Sequence, residues 1–107
     1  MRQAVTDSAT ALLRALQGAV GEACRFVLEE TTSRAWASVT FSGSRHELSF
    51  RLEGAGAGET AGRFLSSLAS LDLPLPGHIV ADIALVAEER RPDRASIRLE
   101  ALTVEES

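Results

Sequence analysis

The chain has 107 residues, of which 45% are apolar and 24% charged, and its formal net charge is -4. That balance excludes a disordered segment and a strongly basic nucleic-acid footprint. The eleven basic residues are all arginine, scattered from Arg2 to Arg98, and the adjacent Arg90 and Arg91 are offset by Glu88, Glu89 and Asp93.

In chain order, Asp7 or Ser8 caps a helix in which Leu12, Leu13, Leu16 and Val20 recur at helical spacing, and Gly21 stops it. From Cys24 the period changes to two through Phe26 and Leu28. Residues 24–30 read as a strand, or as an extension of the first helix, because Ala23, Val27 and Glu30 also fit the helical period. The polar "ETTSRAW" reads as a turn. "AWASVTF" follows as a strand with Ala35, Ala37, Val39 and Phe41 inward, and Ser42–Ser44 as a hairpin turn into "HELSFRLE", where Leu48, Phe50 and Leu52 share a face. Beyond the glycine-rich stretch, Ala61, Phe64, Leu65, Leu68 and Leu71 line one side of a second helix that must end before Pro74.

"HIVADIALVAEE" and "ASIRLEALTVEE" flank "RRPDR" and predict a closing hairpin. The expected class is a single α+β domain over residues 1–107. It has an antiparallel sheet of four or five strands and both helices on one face, in the order α-β-β-β-α-β-β. Without a strand at 24–30 the order is α-β-β-α-β-β, the order produced by circularly permuting a ferredoxin-like βαββαβ chain.

Chemistry-bearing motifs are sparse. Gly56–Ala61, "GAGETA", fits the G-x-G-x-x-G/A pattern of a phosphate-cradling loop. The strand before it alternates apolar and charged residues, unlike the buried parallel strand of a dinucleotide site, and Glu53 and Glu59 oppose an anion. The loop therefore reads as a flexible connection in which serine at Gly56 and Gly58 is tolerated unless either glycine has positive φ. His46 and His78 read as strand-edge residues, and Cys24 as a small apolar group. No serine sits in a nucleophile turn. No catalytic residue, cofactor or metal is expected. No stretch is long enough to cross a bilayer, so the expectation is a cytoplasmic protein without nucleic-acid or membrane partners.

The two final strands offer the strongest indication of function. Ile79, Ile83, Leu85, Ile97 and Leu99 are expected to meet the helices. The opposite face keeps Val80, Val86, Leu102 and Val104, interspersed with Arg98 and Glu100 and bordered by Trp36. An apolar surface rimmed by charge on a small domain indicates association. The expected function is a noncatalytic interaction or assembly domain, partnered by itself as a homodimer or by another protein through this face. The alternative is a ligand-binding or enzymatic domain with a pocket between sheet and helices.

Overall fold

The computed structural model describes residues 7–106. The elements are α1 (Ser8–Val20), β1 (Arg25–Ala37), β2 (Ser42–Glu53), α2 (Ala57–Ser66), a 3-10 turn (Leu68–Ser70), β3 (His78–Arg91) and β4 (Arg94–Glu105). The chain thus follows the shorter of the two expected orders. Pairing is antiparallel throughout, with strand order β1-β2-β4-β3. This is the arrangement obtained when a ferredoxin-like chain has its first strand moved to the end.

Asp7 caps α1 by accepting a hydrogen bond from the Thr10 backbone N–H at 2.8 Å. That bond holds the Asp7 carboxyl below its ordinary titration range. Both helices cover one face of the sheet. Beneath them, Leu48, Phe50 and Leu52 of β2 and Ala95, Ile97 and Leu99 of β4 form the core with Leu12 and Leu16 of α1 and Phe64 of α2. The Phe50 ring stacks on Phe26 of β1 at 4.5 Å and makes a T-shaped contact with Phe64 at 6.2 Å. Such aromatic pairs contribute about 0.5–1.5 kcal/mol beyond the area they bury.

The β1–β2 hairpin corrects the sequence reading. The segments expected as two strands, 24–30 and 35–41, are replaced by the single strand Arg25–Ala37, so "ETTSRAW" lies within it and not in a turn. The turn is Ser38–Phe41, where the Ser38 N–H donates to the Phe41 carbonyl at 2.7 Å and the Phe41 N–H to Ser38 Oγ at 3.0 Å. Val39 and Phe41, expected inside, are 106% and 57% exposed. The physical reason is coverage. Past Leu28 the inward side of β1 runs out from under the helices, and Thr31, Ser33 and Ala35 are exposed. With water on both faces the strand carries no apolar alternation.

The glycine stretch is a joint between packed elements. Gly56 takes the left-handed conformation at the start of α2, with φ 81°. A Cβ on Gly58 would fall 2.4 Å from the Arg91 carbonyl oxygen, and one on Gly62, a turn later, 2.5 Å from Arg90 Nη1. Gly58, which faces fixed backbone, lets α2 sit against the end of the β3–β4 hairpin, whereas the Arg90 guanidinium beside Gly62 is a flexible end that can swing aside. The expected tolerance to serine is therefore withdrawn. Alanine at Gly58 is expected to destabilise the fold by about 1–3 kcal/mol through overpacking. Alanine at Gly18, which has open space around it in α1, should stabilise by about 0.5–1 kcal/mol. Urea unfolding of the two variants against the parent measures both signs.

Candidate functional site

The face turned away from the helices is assembled from all four strands, and their register sets which side chains share a row. Trp36, Gly43, Val104 and Ile79 make the row at one end. The next row holds Arg34, Arg45, Leu102 and Asp82, and the one after it Thr32, Glu47, Glu100 and Ala84. Arg98 follows, level with Ser49 and Ala87. Trp36, Arg98, Glu100, Leu102 and Val104 are thus brought to one surface.

Val80 is not on it. It opposes Thr103, on the side under the helices, and packs against the core. Val86 has no cross-strand partner. It lies at an irregularity between Leu85 and Ala87 and is 48% exposed on the outer strand. Both departures come from bulges, which insert a residue and invert the alternation of a strand. The bulge at Ala81 also turns Ile79 to the open face, where it is 53% exposed beside Val104.

The open face is apolar at one end and charged through its middle. Trp36, the chain's only tryptophan, has a buried ring nitrogen that meets no hydrogen-bond acceptor among the described residues. Its neighbour Gly43 admits no side chain, because a Cβ there would lie 1.9 Å from the Thr103 carbonyl oxygen. Further along, like charges stand directly opposed, Arg34 to Arg45 and Glu47 to Glu100. Arg98 reaches Glu47 at 3.4 Å, and Arg51 pairs with both Glu29 and Glu53. Among the described residues, Glu30, Arg34, Arg45 and Glu100 form no ion pair.

His46 is not the edge residue expected from sequence. It is fully buried, and three hydroxyl contacts determine its tautomer. The Thr103 hydroxyl donates to the Ser44 carbonyl at 3.3 Å, leaving its oxygen to accept from His46 Nε2–H at 3.0 Å. Nδ1 then carries no proton and accepts from Ser33 Oγ–H at 2.7 Å. A serine on a histidine oriented by a third group is the outline of an activated nucleophile. Here the third group is a hydroxyl, which cannot balance an imidazolium as a carboxylate does. The chain of bonds instead ties β1 to β2 and β4. Its signal was readable, since His46 continues the inward series Leu48, Phe50, Leu52.

The phosphate-loop pattern is consumed by internal bonding. The Ala57 N–H donates to the Gly54 carbonyl at 3.0 Å and the Gly58 N–H to the Pro92 carbonyl at 3.4 Å. These first-turn amides, which a phosphate would need, point at the chain's own carbonyls. A groove of about 690 Å³ opens between the segment after α2 and β3, lined by Leu68, Leu71, Leu75, His78, Val80 and Ile83 among others. Among the described residues, no three His, Cys, Asp or Glu side chains are grouped to hold a metal ion, and no helix is long and apolar enough to cross a membrane.

Burial pushes the His46 pKa below the ordinary 6.5, an effect that His78 reinforces and Asp7 opposes. The unfolded chain therefore takes up a proton before the folded one does. The stabilisation should be complete above pH 6.5 and decline as pH falls through the lowered pKa. Urea midpoints measured from pH 8 to pH 5 are expected to fall, and to fall less in His46→Leu.

No protein-family model matches the chain, and no curated protein or solved structure shows significant similarity to it.

Proposed function

We propose that this chain is a noncatalytic, cytoplasmic assembly domain that associates with itself through the uncovered part of its sheet. The observation that carries the reading is the gathering of Trp36, Ile79, Leu102 and Val104 at one end of a sheet face that the chain's own helices leave open. Aromatic and aliphatic groups of this kind anchor interfaces when a charged rim excludes water around them. Glu100, one row beyond Leu102, and Arg98, a further row on, would set the alignment of the contact. Val39 and Phe41 are exposed at the β1–β2 turn, past this end of the strands.

A second reading, a small-molecule site, draws support from the groove beside β3. That groove combines leucine side chains with His78, whose Nδ1 lies 3.2 Å from the Pro76 carbonyl oxygen. It predicts saturable binding of an apolar ligand by a monomer.

Light scattering across a wide concentration range distinguishes the two. Self-association predicts a mass of twice the chain, and a blue shift of the single tryptophan's emission as concentration rises. Replacing Trp36 with alanine and Leu102 with aspartate should weaken the dimer at least tenfold, by removing an anchor and burying an unpaired charge. Circular dichroism should be unchanged. A parent protein that stays monomeric at every concentration would sink the assembly reading.

A further inference from the structure

β1 is an outer strand of the sheet, hydrogen-bonded to β2 on one side and, among the described residues, to no strand on the other. An unpaired edge is a template for another strand, and proteins protect such edges with bulges, charges or a covering element. β3, the other edge, is interrupted at Ala81 and Val86 and carries an internal Glu88–Arg90 ion pair at 2.9 Å. β1 is regular from Glu30 to Ala37, and among the described residues no helix or loop buries its side chains from Glu30 to Ala35.

The charges on that regular stretch are arranged to match themselves. Glu30 and Arg34 lie two residues to either side of Thr32 and point to the open face. Neither forms an ion pair among the described residues, and Arg34 stands opposite another arginine, Arg45. We propose that a second copy of the chain pairs antiparallel along β1 with Thr32 on the two-fold axis, fusing two four-stranded sheets into one of eight. Glu30 of each copy then meets Arg34 of the other, Thr31 meets Ser33, and Thr32 meets itself.

Every one of these pairs joins residues of the same sheet face, as antiparallel pairing demands. The match extends past the bulge between Leu28 and Glu30. Allowing for its extra residue, Leu28, 38% exposed, comes opposite Ala35 of the second copy, and Val27 opposite Trp36. The parallel alternative, with the strands in register, would set Glu30 against Glu30 and Arg34 against Arg34. The charges thus select the antiparallel arrangement. This inference rests on the self-association proposed above but places the contact at the β1 edge, which keeps Trp36 in it and leaves Leu102, Val104 and Ile79, on β4 and β3, outside it.

Charge reversal provides the test. Glu30→Arg and Arg34→Glu each turn both attractions into repulsions, and each variant should dimerise roughly tenfold or more weakly than the parent. Mixed in equal amounts, the two should form a heterodimer with both attractions restored, and a single chain carrying both changes should regain the homodimer. With Cys24 replaced by serine, Thr32→Cys should form a covalent dimer on mild oxidation, while Glu89→Cys on the opposite edge should not. Circular dichroism confirms that each variant is folded. If the parent is monomeric, self-association and the edge pairing fall together. If it is dimeric but indifferent to single reversals, or if the mixture does not recover association, the β1 edge is overturned and assembly through another surface stands.

Discussion

Phe50 is the residue on which the arrangement depends. It occupies the middle of β2, fully buried, and its ring is shared between Phe26 of the outer strand and Phe64 of α2. Through it the edge strand, an inner strand and the helix layer become one packed unit. The contact secures only the first half of β1. Beyond Leu28 that strand is held by its backbone pairing with β2 and by the Ser33–His46–Thr103 hydrogen bonds. Among the described residues the molecule therefore has an anchored side and a further stretch of β1, Glu30–Arg34, whose side chains are exposed.

What could be read from the sequence follows the same division. Where residues lie under helices, periodicity reports the structure: α1, the core series of β2 and the closing hairpin are all visible as patterns. From Glu30 to Arg34 both faces of the strand are wet, so polar residues sit at every position without penalty, and a strand takes on the composition of a loop. The apolar alternation of "SVTF" then suggested a strand where there is a turn. Bulges escaped for a different reason. Ala81 and Val86 are ordinary strand residues, and nothing local marks them as supernumerary. Their effect appears only when partners are counted on β4, which is why Val80 and Ile79 exchange faces relative to expectation. Gly58 carried more information than the loop pattern suggested, because the backbone of the β3–β4 turn comes too close there for any Cβ.

The open face combines two physical characters that would conflict if they were intermixed. Its apolar end permits close contact, while the central rows of opposed like charges resist burial, since desolvating Arg34 beside Arg45 or Glu47 beside Glu100 would cost more than exposing them. Pairing at an edge leaves those rows hydrated. It also repeats a geometry already present within the chain. The two helix-plus-hairpin units meet through an antiparallel seam of β2 and β4, so an antiparallel seam of two β1 strands would extend the same construction outward.

That internal seam has a consequence for how the chain acquires its shape. Each hairpin closes between sequence neighbours, but β2 and β4 join residues as distant as Gly43 and Val104. Contacts of such separation form late, after the loop-closure entropy has been met. While the chain is being synthesised, β2 must wait with its second edge open and with Leu48, Phe50 and Leu52 lacking their β4 counterparts. The interval before β4 emerges is thus a period of exposure to misassembly, and the last of the four described strands to be made is the one that completes this core.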